Sequence, residues 1–221
     1  MNESKIGNFI LEWFTSFVLF FFIVSFAVTF TLHFRPLYYA DIDFLKIEQR
    51  SGMVREEICA NYDVLIDYNS IFSEIKTLQF PTLSMSETGK IHFEEVKVIF
   101  KGFQWMAVVC FVVGSILIFL NQKKGNCLFW KYTSILTVVV PTLLAGLIAM
   151  NWEWVFVMFH KIAFNNDYWI FDASTDPVIM ILPDAFFLHC AVLILFCVVL
   201  GSGICLLVYK SLKRRRIRYK K

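Results

Sequence analysis

The sequence predicts an all-α membrane protein: four transmembrane helices with a small extracellular cap, and both termini cytoplasmic. Composition is the first reason. Of 221 residues, 58% are hydrophobic and 25 are Phe, and the mean hydropathy is +0.63. One soluble core cannot hide that much apolar surface, so much of the solvent must be lipid. Patterning is the second reason: four apolar stretches each come near the ~20 residues a helix needs to cross a bilayer. Charge distribution is the third. The net charge is only +3, yet Lys210, Lys213, Arg214, Arg215, Arg216, Arg218, Lys220 and Lys221 crowd the C-terminus directly after the last apolar stretch. A basic tail in that position reads as a topology anchor or a contact for anionic lipid, not as a nucleic-acid site.

Residues 1–32 hold the N-terminus and the first span, Phe9 to Leu32, interrupted only by Glu12. At ~1.5 Å per residue this helix reaches about 36 Å, enough to cross a ~30 Å hydrocarbon core with some tilt. Its apolar part exceeds the usual ~7–15 residues of a signal peptide and no small-x-small site follows, so the helix is expected to be retained. Residues 33–101 are polar and form the first cap segment. Within it Val54, Ile58, Tyr62, Leu65 and Phe72 recur at helical spacing after a cap at Ser51. The stretch FPTLSMSETG (80–89) has turn-like or short-strand composition. A helix beginning near Lys90 then runs into the second span, with His92, Val96, Ile99 and Phe103 on one face.

The second span covers 102–120, where Gly114 and Ser115 suit close helix contact. Residues 121–127 are a loop, and the third span, 128–149, contains Pro141, a kink that neighbouring helices can accommodate. Residues 150–184 form the second cap segment, 185–209 the fourth span with Gly201 and Gly203, and 210–221 the basic tail. Lys123, Lys124 and Lys131 flank the loop between spans two and three, which assigns it and the tail to the cytoplasm. The two cap segments then share the outer face, and with them His92 and His160.

The stretch from Trp152 to Phe187 carries the most chemistry. It is crowded with aromatics and holds His160, then Asn165, Asn166, Asp167 and Trp169. It is too polar to span a bilayer and too apolar for an idle loop, so it reads as a re-entrant or surface-lying part of an active site at the membrane boundary. Two imidazoles in a semi-dry pocket suit proton transfer near neutral pH. His33, beside Arg35 at a helix end, reads instead as an interfacial residue satisfied by a carbonyl or headgroup. His189 lies about one turn into the fourth span, where a polar side chain faces the bundle or a wet cavity; it either lines the site or makes a structural hydrogen bond.

Other chemistries find little support. Glu94 and Glu95 adjoin His92, but adjacent helical residues point in different directions, and no Cys/His spacing suits zinc, so no metal is expected. Cys59 alone falls in a long polar segment and the remaining five cysteines lie in or beside spans, so no structural disulfide is expected. No nucleotide motif is present and no cofactor is called for. The middles of the spans lack ionisable residues, which argues against an ion pathway.

Three stretches, NYDVLIDYN (61–69), FPTLSMSETGKIHFEEVK (80–97) and FHKIAFNNDYWIFDASTDPVIMILPDAFF (159–187), taken with four spans in this order, resemble the lipoprotein intramolecular transacylase family of Gram-positive bacteria. The most specific parts are S-x-x-G-x-x-H-F-x-x-V-K, ending at Lys97, and F-H…F-x-N-D-x-W, ending at Trp169. The resemblance implies four transmembrane helices under an extracellular cap, in a cell-membrane enzyme acting on diacylglyceryl-modified bacterial lipoproteins, with membrane lipid as the other partner and no nucleic acid. The substrate would be a lipoprotein whose N-terminal cysteine bears an S-diacylglyceryl group and a free α-amine. The sn-2 acyl chain would move to that amine, leaving an N-acyl, S-monoacylglyceryl (lyso) form. The family's two catalytic histidines match His92 and His160.

The residues are consistent with that chemistry. An α-amine with a pKa near ~8 is largely protonated at neutral pH, and only its neutral form attacks an ester. One imidazole, assigned first to His160, takes the proton; the other, His92, steadies the oxyanion or protonates the departing glyceryl oxygen. The sequence leaves that division of roles open. Tyr62, Tyr68, Trp152, Phe159 and Trp169 are candidates for a wall that folds the substrate onto itself, and Asn61, Asn69, Asn166 and Asp167 for orienting a histidine or binding the amine. Two rival readings stand beside it: a non-catalytic assembly or sensor protein whose cap binds a partner, and a phospholipid acyl hydrolase or intermolecular acyltransferase.

Overall fold

A backbone that crosses lipid must satisfy its own hydrogen bonds, and helices do so within one segment. In the computed structural model, which describes residues 3–219, helices are the regular elements. In chain order they are α1 (Glu3–His33), α2 (Arg35–Phe44), α3 (Ile47–Ser51), α4 (Arg55–Tyr68), α5 (Glu87–Lys123), α6 (Leu128–Met150), α7 (Trp152–Ala163), α8 (Val178–Ile181) and α9 (Asp184–Tyr219). Among the described residues, four helices are long and apolar enough to cross a membrane: α1 over Lys5–His33, α5, α6, and α9 over Asp184–Ile217. The 80–89 stretch is irregular until α5 begins, with a bend at 81–82 and no strand.

The chain divides into two compact units. The first draws on residues 1–28, 105–146 and 194–221. Its side chains are distributed as lipid demands, opposite to a soluble domain. Phe14, Phe21, Phe111, Phe119, Leu143 and Phe196 are exposed, while Thr15, Ser16, Asn121, Thr133, Ser134, Thr137 and Ser202 are buried. With lipid on the outside, apolar burial does not draw the helices together; small residues and hydrogen bonds do. A Cβ at Gly201 would come 2.8 Å from Cγ2 of Ile23, so only glycine allows α1 and α9 this approach. Ser134 and Ser202 hydroxyls lie 3.0 Å apart. Glu12, the one charge within the first apolar stretch, accepts the Leu128 N–H at 2.8 Å and so satisfies an open donor at the start of α6.

The second unit comprises residues 29–104 and 147–193. Its core is a conventional one, with Tyr38, Ile42, Ile47, Ile58, Tyr68 and Val178 almost fully buried. Tyr38 stacks on Tyr62 at 3.7 Å between ring centroids and donates its hydroxyl to the Ile181 carbonyl at 2.7 Å. Arg35 pairs with Asp63 at 2.8 Å and with Asp67 at 2.6 Å, tying the start of α2 to α4.

Three local expectations are corrected here. Ser51 does not cap α4. It closes α3, its hydroxyl donating to the Ile47 carbonyl at 2.8 Å, and Gly52 at φ 72° ends that helix in the left-handed region. α4 therefore starts at Arg55 behind Val54, which supplies no side-chain cap. Phe72 lies beyond α4 and is exposed, not on its buried face. The basic segment from 210 is not a separate tail: α9 runs on through it to Tyr219, because Lys and Arg are good helix formers and favour a C-terminal turn. Lys220 and Lys221 lie outside the described residues.

The start of α5 is held by a chain of hydrogen bonds from the 172–177 loop. Ser86 is its cap, accepting the Gly89 N–H at 3.0 Å. Asp176, buried in the loop before α8, accepts the Ser86 N–H at 2.8 Å and the Thr175 hydroxyl at 2.7 Å. A Cβ at position 89 would collide with that carboxylate and come 3.3 Å from the Phe171 ring. Gly89 is thus the clearance through which the 172–177 loop docks on α5. Gly89→Ala is expected to cost about 1–3 kcal/mol through overpacking, and Asp176→Ala about 1–2 kcal/mol through loss of its hydrogen bonds to Ser86 and Thr175. Thermal unfolding in detergent micelles checks both; a Gly89→Ala protein as stable as the parent would contradict the docking role.

Candidate active site

His92 lies in the second turn of α5, so the capped entry described above sets its height and rotation. It is 5% exposed. His160 lies in the last turn of α7, whose start is capped by Asn151 accepting the Trp154 N–H at 2.9 Å. The two rings face each other at 6.1 Å between centroids, tilted by 31°.

Aromatic side chains enclose the pair. Phe164, just past α7 and buried, presents its edge to His92 at 4.7 Å and lies 5.7 Å from His160. Phe171 meets His92 at 5.5 Å and stacks on Phe93. Around His160, Phe156 lies at 4.2 Å, Trp169 at 4.8 Å and Phe159 at 5.3 Å, nearly perpendicular. Such walls exclude water and strengthen any charge that develops inside them.

The hydrogen bonds define what each ring can do. His160 Nδ1 lies 2.7 Å from the Phe156 carbonyl. A carbonyl only accepts, so Nδ1 carries the proton and Nε2 of the neutral ring offers a lone pair. His92 Nδ1 is buried without a partner. His92 precedes the apolar stretch of α5 that begins at Phe103. Burial, and then the neighbouring His160, hold His92 below the ordinary imidazole pKa. Burial lowers His160 too, with the hydrogen bond to Phe156 acting in the opposite sense. Both rings are therefore neutral at pH 7. Among the described residues no group of three or more His, Cys, Asp or Glu is placed to hold a metal ion.

The other sequence candidates separate into two sets. Phe159 and Trp169 touch His160, and Asn166 is bound to the same wall, its carbonyl accepting the Trp169 indole N–H at 3.2 Å. Trp152 opens α7 with its ring 5.8 Å from Phe156. Asp167 is exposed and supplies a backbone carbonyl to the Ile170 N–H. Asn61, Tyr62, Tyr68 and Asn69 are instead built into the packing of α4. Asn61 donates to Thr82 at 2.7 Å, Tyr62 stacks on Tyr38, and Tyr68 lies under the Lys97 ammonium at 3.8 Å. Asn69 donates to the Leu65 carbonyl and accepts from Gln104 through its own.

Sequence reasoning missed Phe156, Phe164 and Phe171, which touch the imidazoles more closely than most of the candidates. Phe156 was signalled by its spacing of four from His160 on a helix; the other two sit in loops, where periodicity is silent. It also weighed Glu95 only as a metal ligand, whereas Glu95 Oε1 accepts from Asn166 at 2.8 Å. Of the remaining histidines, His33 Nε2 lies 3.3 Å from the Gln104 side chain. His189 makes the structural contact foreseen as one of its two options, with Nδ1 at 2.8 and 2.9 Å from the carboxylate oxygens of buried Asp41.

The family model described as lipoprotein intramolecular transacylase Lit matches residues 13–187. The in meso structure of the membrane integral lipoprotein intramolecular transacylase Lit from Bacillus cereus superposes with a TM-score of 0.93 at 39% identity, covering 96% of this chain and 99% of that one. A variant of that protein with a histidine replaced by arginine gives a TM-score of 0.89 at 37% identity, covering 99% of this chain and 96% of the other. A variant with alanine in place of a histidine gives 0.87 at 38% identity, covering 97% of each chain. No curated protein matches. With a family match across most of its length and a membrane-integral fold shared nearly end to end, the chain belongs to the lipoprotein intramolecular transacylase (Lit) family.

Proposed function

We propose that His92 and His160 catalyse acyl transfer within one substrate molecule, from the sn-2 oxygen of an S-diacylglyceryl cysteine to its α-amine, giving the lyso-form lipoprotein. The observation that carries this reading is a pair of neutral imidazoles, 6.1 Å apart, in a water-poor aromatic enclosure, with one ring committed to the Nδ1–H tautomer by a backbone carbonyl. His160 is accordingly the base and His92 the group that meets the oxyanion.

The proton balance runs through these two rings. The substrate ammonium first gives one proton to Nε2 of His160, and that proton passes to solvent. The neutral amine then attacks the ester carbonyl, forming the C–N bond and a tetrahedral oxyanion. His160 takes the second proton from nitrogen. When the C–O bond breaks, the glyceryl oxygen receives a proton from the imidazole pair, directly or through His92. Amide and alcohol result, and both rings return to neutrality. No cofactor or nucleotide enters the balance.

Nucleophile and electrophile belong to the same molecule, so the enzyme's main contribution is conformational. Pressing the glyceryl and cysteine ends together in a tight enclosure replaces a bimolecular encounter with a local one. Phe156, Phe159, Phe164, Trp169 and Phe171 are the residues we assign to that pressing. The positive charges at Lys123, Lys124 and Lys131 and along the end of α9 support a cytoplasmic side there, and with it an extracellular site in the cell membrane.

Two outcomes are expected. His160→Gln and His92→Gln should each lower turnover of a purified diacylglyceryl lipopeptide by about 10²–10⁴-fold, with unfolding behaviour unchanged; a protein that only binds a partner would tolerate both. The imidazole ¹³Cε1 signals of His92 and His160, followed by NMR in micelles, should titrate below pH 6.5. Because both pKa values are depressed, the rings stay neutral to lower pH than free histidine does. A midpoint at or above 6.5 for His160 would contradict the burial that depresses it.

A further inference from the structure

We propose that Glu95 is the amine-binding residue of this site, its carboxylate holding the α-ammonium of the lipid-modified cysteine until an imidazole takes the proton. The inference rests on the transacylase reading above and names the group that recognises its nucleophile.

Glu95 follows His92 by three residues on α5 and so lies on the same side of the helix. One oxygen, Oε1, accepts from Asn166 Nδ2 at 2.8 Å. Asn166 in turn accepts the indole N–H of Trp169, and the Trp169 ring lies 4.8 Å from that of His160. The carboxylate is thereby fixed in the same wall that contains both catalytic imidazoles. Its other oxygen, Oε2, is buried with no hydrogen-bond partner.

A buried carboxylate oxygen without a donor is costly, and a donor from a ligand or an ordered water offsets that cost. Lys97 donates to the Ile75 carbonyl at 2.6 Å and covers the Tyr68 ring, and Lys161 is exposed. Among the described residues no ion pair engages Glu95. An ammonium offers three N–H donors and the opposite charge, a match that neither the ester nor the glyceryl backbone of the substrate provides.

The proton step is balanced. The ammonium N–H bond breaks with its electron pair left on nitrogen, the proton goes to the neutral imidazole, and the amine keeps an N–H donor on Oε2. Once nitrogen is acylated it can no longer carry charge, so the contact weakens and the product is released. The same contact discriminates against cysteines that are already N-acylated.

The test uses Glu95→Gln, which keeps an acceptor for Asn166 and removes only the charge. The ligands are a diacylglyceryl-cysteine lipopeptide and two unreactive ether-linked analogues, one with the α-amine and one with hydrogen in its place. Wild type should bind the amine-bearing ether at least about tenfold more tightly than its amine-free twin, and Glu95→Gln should bind the two alike. With the ester substrate, kcat/KM of Glu95→Gln should fall about 10- to 100-fold, carried mainly by KM. Equal binding of the two ethers by wild type overturns the assignment, even if the variant does not fold. N-acylation by wild type with an unaffected Glu95→Gln overturns the Glu95 role alone. No N-acylation by wild type overturns the transacylase reading instead.

Discussion

One hydrogen bond, from His160 Nδ1 to the carbonyl of Phe156, determines the proton inventory of the site. It is made within a single helical turn, so α7 brings both partners together. By committing one nitrogen as a donor it frees the other as a base, which a ring tumbling between tautomers would offer only part of the time. The burial that surrounds it keeps both imidazoles uncharged, and two charged rings at this separation would repel in a low-dielectric pocket. The neutral pair, the aromatic wall and the placement of α7 beside α5 form one arrangement.

That arrangement needs a rigid frame, which is built by other means than the membrane-spanning part. The second unit has an apolar interior and a capped entry to α5, with Gly89 and Asp176 fitting the 172–177 loop against it. Its packing follows the rules of a soluble domain. The first unit exposes its large apolar side chains and buries hydroxyls, an asparagine and a glutamate. Long helices such as α5 belong partly to each, which is why one sequence carries two opposite hydrophobic patterns.

Much of this was legible in the sequence, for reasons that can be traced. Long apolar runs have one stable solution in lipid, so the four spans follow from composition and length. The S-x-x-G-x-x-H-F motif also had a local physical meaning, since its Ser86 is the helix cap and its Gly89 the clearance for Asp176. What escaped was decided by tertiary contact. Whether Ser51 ends one helix or begins the next turns on Gly52 adopting a positive φ. Tyr62 and Tyr68 look like any interfacial aromatics until their partners, Tyr38 and Lys97, are known. Phe164 and Phe171 reach the imidazoles from irregular segments, and no periodicity announces that.

Transfer within a single molecule is the claim that most depends on the enclosure, and an isotope crossover tests it directly. Purified enzyme would be given two diacylglyceryl lipopeptides together, one with a ¹³C-labelled sn-2 acyl chain, the other with a ¹³C-labelled peptide. Fragmentation in the mass spectrometer then locates the acyl chain on cysteine nitrogen and reads its label. Intramolecular transfer predicts labelled acyl only on unlabelled peptide, with no N-acylation by the His160→Ala form. Doubly labelled N-acyl peptide would establish transfer between molecules, and an aromatic enclosure that folds one substrate onto itself would no longer account for the reaction.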